Sequence, residues 1–339
     1  MQKLWIDWRG ASGQIYFHHR VAEYEGMWKA VAATLGAEFR ALSKDIWEIR
    51  LGGNATRVCN YQLEFDNPVV LRIAGNKPLV HKLLGQQGLP VPEYRVFRLS
   101  EVADVYEFSK RHPEGCVVKP ANGYGGQGVT IHVRTRRELR RAAVLASLYS
   151  SDLLIEPQIP GESYRLLILN GRMVDAVCRR GLRLKGDGVS SIHELINREN
   201  TMRAIHSLMP VDIDRDCEFT LMYQNFSLSS VPANNSQVLI KSVNEPLRKQ
   251  AEVRTVYNTN VTTEICPAIV RQAENAARII GSRLLGVDIL ARRTDIPLEE
   301  SGGAFNEVNT TPALHHHYDA SRDSYPRVAL MAIQSLLQQ

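Results

Sequence analysis

VVKPANGYGGQGV, residues 117–129, restricts the possible folds of this chain more than any other stretch. Its apolar start predicts a β-strand that delivers Lys119, and the glycines after it predict a loop that returns directly into a second strand. Glycine lets a backbone bring N–H groups close to phosphate oxygens, and a lysine on the strand neutralises phosphate charge. The P-loop pattern is excluded, because no Gly-Lys-Ser/Thr closes the loop. The alternative is a glycine-rich hairpin beside a solvated lysine.

A second stretch, FNEVNTTPAL at residues 305–314, carries Glu307 and Asn309 two positions apart on a predicted strand. Because side chains alternate along a strand, both point to one face. Asp288 lies upstream in the apolar run GVDIL, on its own predicted strand. Three oxygen ligands on neighbouring strands suit Mg²⁺ when phosphates and water fill its other positions. Alone, surface polar residues would be the simpler explanation; the lysine and the glycine loop favour the metal.

A third stretch, IEPQIPGESYR at residues 155–165, ends an apolar strand at Glu156 and connects it to a hairpin. The backbone of such a connection can hydrogen-bond an adenine edge while carboxylates hold the ribose hydroxyls. By itself, the stretch favours a plain linker between two lobes.

Periodicity and turn residues predict the surrounding elements. Apolar spacing predicts a helix over 24–35, and the run VVLRI predicts a buried strand over 69–73. Pro78 and Gly88 bracket a further predicted helix, because proline suits a first helical turn and glycine a last one.

Beyond residue 155, Asn170-Gly171 predicts a hairpin, and a helix is predicted over 190–199. Residues 200–262 look irregular and are predicted to be an insertion. We predict four parts: an N-terminal α/β lobe (1–75), linker helices with a central lobe (76–115), a small lid lobe (116–185) and a C-terminal lobe with the metal site (186–339).

The composition fits a globular protein of two or three packed lobes, with 339 residues, 44% hydrophobic and 23% charged. The net charge of +5 comes without a long basic run, so we expect no nucleic-acid partner. Five scattered cysteines without a C-x-x-C pair argue against a disulfide framework or a zinc site and favour a reducing compartment. Without an apolar spanning run or signal segment, we expect a cytoplasmic protein with no membrane contact.

These constellations, in this order, resemble the ATP-grasp superfamily. Residues 51–320 are similar in particular to the ATP-grasp module of cyanophycin synthetase, through GDGVSSIHELI (186–196), LSSVPANNSQVLI (228–240), NTNVTTEICP (258–267) and IPLEESGGAFNEVNTTPALHHH (296–317). The resemblance implies an α/β (α+β) ATP-grasp fold that holds a nucleotide between two α+β lobes, beside a small N-terminal α/β lobe.

The resemblance also implies a set of site residues. Lys77 and Lys119 match the two lysines that bind ATP phosphates, and Arg165 and Arg180 match arginines that face the phosphates and the substrate carboxylate. The remaining matches are the flap glycines Gly123, Gly125, Gly126 and Gly128, the adenine hinge Glu156, Pro157, Gln158 and Ile159, and the Mg²⁺ (or Mn²⁺) ligands Asp288, Glu307 and Asn309.

Four departures from the family pattern bear on these expectations. The acidic residue expected on the ribose is replaced by Ser163, so either Glu162 takes its place or the contact is weakened. Gln127 stands near a flap position that is often basic, and the metal motif ends in Pro312-Ala313 instead of Pro-Gly. The chain also lacks the second ligase domain of cyanophycin synthetase, so we expect no alternating polymerisation.

The resemblance implies an ATP-dependent ligase that joins amino acids or short peptides through an acyl phosphate, in metabolite or peptide natural-product biosynthesis. A kinase of the same fold and a non-catalytic nucleotide-binding scaffold are the alternatives. Relatives also suggest a homodimer. His315, His316 and His317 follow the metal strand, and packing or substrate contact is favoured over a separate metal site.

Overall fold

The structure, a computed structural model, describes residues 11–123, 126–205, 210–241, 256–317 and 325–338, without the side chains of 11–20, 215–216, 219, 256–257 and 315–316. The strands are β1 (Glu38–Ala41), β2 (Ile46–Leu51), β3 (Asn54–Cys59), β4 (Gln62–Leu63), β5 (Arg95–Phe97), β6 (Cys116–Pro120), β7 (Thr130–Val133), β8 (Leu153–Pro157), β9 (Glu162–Leu169), β10 (Arg172–Gly181), β11 (Arg183–Lys185), β12 (Gln237–Leu239), β13 (Val256–Asn260), β14 (Leu284–Ala291) and β15 (Ala304–Thr310). The helices are α1 (Ala11–Leu35), α2 (Pro68–Ala74), α3 (Lys77–Gln86), α4 (Val102–Lys110), α5 (Arg136–Ser147), α6 (Ile192–Ile205), α7 (Arg215–Tyr223), α8 (Pro267–Ile280), α9 (Leu298–Ser301) and α10 (Arg327–Leu337).

Two antiparallel sheets carry most of the predicted site residues and meet at the bond from Lys119 Nζ to Asn306 Oδ1; the region where they meet is called the cleft. The small sheet has the strand order β5-β8-β6-β7, and the large sheet has the order β13-β10-β9-β14-β15. An N-terminal sheet, β1-β2-β3-β4, and the pair β11-β12 complete the described strands. The observed sheets do not follow the predicted division of the chain. Strands β9 and β10 fall within the predicted lid lobe (116–185), but they belong to the large sheet, where β9 pairs with β14.

The large sheet is covered on both faces. Helices α2, α3 and α8 pack on one face, where Ile168 and Ile269 are fully buried. On the other face, Leu167 and Leu169 join a core with Trp28 of α1, helix α10 and the N-terminal sheet. Toward the start of β9, this second face carries the polar residues Ser163 and Arg165 instead.

The strand predicted over 69–73 is wrong, since these residues belong to helix α2. Asn67 Oδ1 accepts hydrogen bonds from the backbone of Val69 and Val70, and Pro68 occupies the first helical turn. An asparagine cap followed by proline favours a helix start. A short apolar run has no clear period, so capping decides its structure.

Most other predicted elements are confirmed. Asn170 and Gly171 turn the β9–β10 hairpin with φ values of 49° and 76°, and α3 and α6 form where helices were predicted. The irregular insertion over 200–262 was only partly right, because α7, β12 and β13 lie within it. With β11 and α6, helix α7 and strand β12 enclose a separate small core.

Among the described helices, none is both long and apolar enough to cross a bilayer. The five cysteines are free thiols, and three of them are buried.

Candidate active site

Lys119 and Glu156 form a buried ion pair on neighbouring strands of the small sheet. Val117 lies opposite Glu156 in the β6–β8 register, so Lys119, two residues on, projects from the same face. Its Nζ lies 2.6 Å from Glu156 Oε1, and each residue is 3% exposed. Nζ also donates to Asn306 Oδ1 on β15 at 3.2 Å, which links the two sheets. Glu156 Oε2 is buried and has no hydrogen-bond partner in the described part of the chain.

Lys77, at the start of α3, reaches the same cleft from the side. Its backbone N–H donates to Ala121 O at 3.1 Å, and its Nζ donates to Gly123 O at 2.8 Å. Nζ lies 4.0 Å from Glu307 Oε2 on β15. Burial lowers the pKa of Lys77; Glu307 opposes this shift and Lys119 adds to it. The two predicted phosphate lysines therefore meet between the sheets.

The glycine loop connects β6 to β7 beside these lysines. Gly126 and Gly128 have φ values of 70° and 72°. An added Cβ at Gly128 would lie 2.8 Å from the Tyr149 ring and 3.0 Å from Pro120 Cγ, so this backbone requires glycine. Gly125 lies outside the described residues. The described end of the loop, residues 126–128, is thus a tight turn.

The predicted hinge leaves the small sheet through three half-buried residues, Pro157, Gln158 and Ile159. Gln158 N–H donates to Gly115 O at 2.9 Å, and Gln158 Oε1 accepts from the backbone of His132 at 3.3 Å. These bonds tie the hinge to the residue before β6 and to β7.

Glu162 and Ser163, the two candidates for a ribose contact, both have protein partners. Glu162 Oε1 accepts from Arg183 at 2.9 Å, and Ser163 Oγ accepts from Arg179 at 2.8 Å. Which of them contacts a ribose stays a prediction.

Asp288 is the centre of a buried group that we name the arginine cluster (Arg165, Arg179 and Asp288). Arg165 lies opposite Asp288 in the β9–β14 register and donates two bonds of 2.7 Å to its two oxygens. Arg179 and Asn309 donate to Oδ2 at 2.9 and 3.2 Å. Burial alone would raise the pKa of Asp288, which is 0% exposed, but the two guanidinium groups outweigh burial and lower the pKa to about 2.

Several known proteins are similar in sequence to this chain. Residues 56–154 match a family model described as sugar-transfer associated ATP-grasp. The chain is 30% identical over 275 residues to cyanophycin synthetase of Geminocystis herdmanii, which covers 78% of this chain and 30% of that protein. It is 28% identical over 260 residues to the glutathione biosynthesis bifunctional protein GshAB of Listeria innocua, which covers 74% of this chain and 32% of that protein.

A solved structure shows the same fold. The bifunctional glutathione synthetase from Pasteurella multocida superposes with a TM-score of 0.58 at 20% identity, over 89% of this chain and 41% of that one. The chain belongs to the ATP-grasp superfamily. It spans 30% and 32% of the lengths of the two curated relatives, so their activities as whole proteins do not transfer with the fold.

Arg180, expected from the ATP-grasp resemblance to face the phosphates, does not join the arginine cluster. It is exposed on the opposite face of β10. A regular hairpin would place Arg180 on the face of Arg165, but the β9–β10 register shifts at Val174, which is an extra residue. One extra residue turns every later side chain to the other face. Arg179 therefore lies on the face of Arg165, beside Asp288, and strand alternation in the sequence could not predict this.

A second bulge shapes the strand expected to carry the ATP-grasp metal ligands. The β14–β15 register shifts after the pair Asp288–Glu307, which leaves Asn306 as the extra residue. Its side chain accepts from Lys119, and its carbonyl lies 3.0 Å from His81 Nε2. Sequence reasoning missed Asn306 and His81, since neither belongs to the motif spacing.

Glu307 and Asn309 fit a divalent cation. Both are half-buried on one face of β15, and Asn309 directs its amide NH₂ toward Asp288 and Glu307 at 3.2 and 3.4 Å. Asp288 accepts four hydrogen bonds from the two arginines and Asn309, three on Oδ2 and one on Oδ1. It therefore orients the arginines in this arrangement. Within the described ranges, no three His, Cys, Asp or Glu side chains form a metal cluster, so the three-ligand set stays a prediction.

Proposed function

We propose that this chain is an ATP-dependent carboxylate–amine ligase that forms an amide or peptide bond and releases ADP and phosphate. The observation that carries the proposal is the meeting of Lys77, Lys119 and Glu307 in one cleft, with Lys77 Nζ 2.8 Å from Gly123 O and 4.0 Å from Glu307 Oε2. Two cations beside a glycine loop and a half-buried carboxylate are what a triphosphate with a divalent cation needs.

In the proposed complex, Lys77 and Lys119 contact phosphate oxygens, and the loop 123–128 covers them. The backbone of 157–159 borders the adenine. Glu156 Oε2 supports this placement, because it is a buried acceptor without a partner in the described residues and can take an amino group of the base.

Glu307 and Asn309 would hold Mg²⁺ (or Mn²⁺), which when bound neutralises charge on the transferred phosphoryl group. Asp288 would support this pair through Asn309 and is the proposed third ligand, through Oδ1, which takes one hydrogen bond from Arg165. Manganese is the alternative because hard oxygen donors suit both ions.

The arginine cluster would hold the substrate carboxylate. It carries two positive charges and one negative charge, and Arg179 Nε is buried without an acceptor among the described residues. Amino acids or short peptides are the proposed substrates. The similarity to a cyanophycin synthetase and to a glutathione biosynthesis protein supports this choice.

The proposed reaction has two steps. A carboxylate oxygen of the first substrate takes the γ-phosphoryl group of ATP, which gives an acyl phosphate and ADP. The amine of the second substrate then attacks the acyl carbon, phosphate leaves with the bonding electron pair, and the amine loses a proton. The chain would position the reactants, neutralise charge and exclude water beneath the glycine loop.

Incubation with ATP, Mg²⁺ and a pool of amino acids and dipeptides tests the proposal, with phosphate release and product masses as the measurements. We expect phosphate release that needs both a carboxylate and an amine. A stable phosphorylated product without amine would indicate a kinase, and nucleotide binding without turnover would indicate a scaffold; either outcome would contradict the ligase.

A further inference from the structure

A buried aspartate–histidine pair lies on the large sheet beside the proposed site. His317 Nδ1 lies 2.6 Å from Asp175 Oδ2, and the His317 side chain is 0% exposed. Asp175 is on β10, and His317 ends the short turn of helix that follows β15. The two residues are far apart in sequence, so the pair is a product of the fold.

The carboxylate of this pair is fixed by two further donors. Asp175 Oδ1 accepts from Asn260 Nδ2 at 2.7 Å and from Thr262 Oγ1 at 3.1 Å. An ionised carboxylate only accepts hydrogen bonds, so the proton of a neutral imidazole lies on Nδ1 of His317. Nε2 then carries the free lone pair.

That lone pair has no partner within the described residues. His317 Nε2 is buried and makes no hydrogen bond there. A buried acceptor left without a donor costs free energy, and this one is free to accept a proton.

The pair lies next to the arginine cluster. Asp175 and Arg179 project from the same face of β10, since they are four residues apart beyond the bulge at Val174. Asp175 lies opposite Leu167, two residues from Arg165 on the neighbouring strand. Asp175, and with it the bound His317, therefore lies on the sheet face that carries the groups proposed to hold the substrate carboxylate.

We propose that His317 accepts the proton that the ammonium form of the amine substrate must lose before it attacks, an inference that rests on the proposed ligase function. The ammonium proton moves to His317 Nε2, the freed amine nitrogen forms a bond to the acyl carbon as the acyl–phosphate bond breaks, and the departing phosphate takes the second N–H proton. Asp175 holds the imidazole in the required tautomer and stabilises the imidazolium that forms. His317 later returns the proton to solvent.

The charges around the imidazole suit this task. Burial lowers the pKa of His317, the hydrogen bond and charge of Asp175 raise it, Arg165 lowers it and Asp288 raises it. Burial keeps the ring neutral and able to accept a proton, and Asp175 on β10, Arg165 on β9 and Asp288 on β14 are the charged groups that act on it.

The test compares two nucleophiles in the variant His317→Gln. Ordinary amines are protonated at neutral pH and need a base, whereas hydroxylamine is mostly uncharged and does not. With ATP, Mg²⁺ and a pool of the common amino acids, we expect phosphate release to fall about 10²-fold or more. With hydroxylamine added, we expect hydroxamate to form at the wild-type rate. Asp175→Asn should show a smaller loss with amino acids and none with hydroxylamine.

His193→Gln is the matched control, because His193 is exposed on α6, and it should leave both rates unchanged. Equal losses with both nucleophiles in His317→Gln, or no loss with either, would overturn the inference while the ligase proposal stands. A wild-type chain that forms neither hydroxamate nor phosphate would overturn the ligase proposal and this inference together.

Discussion

The two charged regions of the cleft differ in how completely their groups are satisfied. In the lysine region (Lys77, Lys119, Glu156 and Glu307), Glu156 Oε2 has no partner among the described residues and Glu307 Oε2 lies 4.0 Å from Lys77. In the arginine cluster, Asp288 takes donors on both oxygens, with Arg165 at 2.7 Å and Arg179 at 2.9 Å. The first region leaves carboxylate oxygens open to a ligand, whereas the second fixes its carboxylate and offers a ligand Arg179 Nε. Substitutions in the lysine region should therefore affect nucleotide chemistry, and substitutions in the cluster should affect stability first.

The largest effect is expected from Asp288→Asn. This change leaves two buried guanidinium groups without their counter-charge, and removing one partner of a buried ion pair costs about 3–5 kcal/mol. Urea unfolding at pH 7 measures the loss. Asp295→Asn is the control, since Asp295 pairs with Arg293 at the surface. Equal stability of the two variants would mean that the cluster does not support the fold.

The wild type and the Asp288→Asn variant also allow a pH test. The pKa of Asp288 is lowered to about 2 in the folded chain from its ordinary value of 3.8. A lowered folded pKa means that the unfolded state binds more protons, so this contribution is full above the unfolded value and is lost as the pH falls through the folded one. The difference in unfolding free energy between wild type and Asp288→Asn should therefore narrow from about pH 4 to about pH 2. A constant difference would mean that ionisation of Asp288 does not stabilise the fold.

Lys119→Met should come next, with a fall in turnover of about 10²-fold, because one preorganised charge at the phosphates is lost. The rate of ADP release with saturating amino acids is the measurement. Lys110→Met serves as the control, because Lys110 is an exposed lysine paired with Glu107. Wild-type turnover in Lys119→Met would exclude this lysine from the reaction.

A smaller effect is expected from Glu307→Gln, which keeps the shape of the side chain and removes its charge. The Mg²⁺ concentration for half-maximal turnover should rise at least about tenfold, by analogy with the loss of groups around metal sites. Glu300→Gln, at an exposed glutamate, should not change it. An unchanged Mg²⁺ requirement would separate Glu307 from the metal.

The smallest effect is expected from Arg180→Ala, compared with Arg179→Ala. Arg180 is exposed, so turnover and stability should stay within about twofold of wild type. Arg179→Ala should weaken use of the carboxylate substrate, seen as a higher KM for that substrate. A larger loss of activity in Arg180→Ala than in Arg179→Ala would mean that Arg180 contacts the substrate, as strand alternation favours, and that the bulge at Val174 does not select Arg179.

Local signals in the sequence account for much of the fold and part of the site. Lys119 and the glycine loop depend on a strand and a turn a few residues long, and the Asn170-Gly171 hairpin depends on two residues, so both could be predicted. The helix over 68–74 was missed because an apolar run of five residues has no decisive period, and the cap at Asn67 outweighed it.

The remaining site residues depend on register and on contacts between distant segments. Arg179 and Asn306 are positioned by bulges, which shift a strand by one residue and leave composition unchanged. His317 meets Asp175 only because the chain after β15 returns over β10. No spacing rule connects residues so far apart, and only the folded chain brings them together.

The most direct test of the shared nucleotide cleft is a crystal structure with Mg²⁺ and a non-hydrolysable ATP analogue. We predict the Nζ atoms of Lys77 and Lys119 within about 3.2 Å of phosphate oxygens, and Glu307 and Asn309 oxygens on the metal. Triphosphate bound away from the two lysines, or metal held without Glu307, would contradict the account.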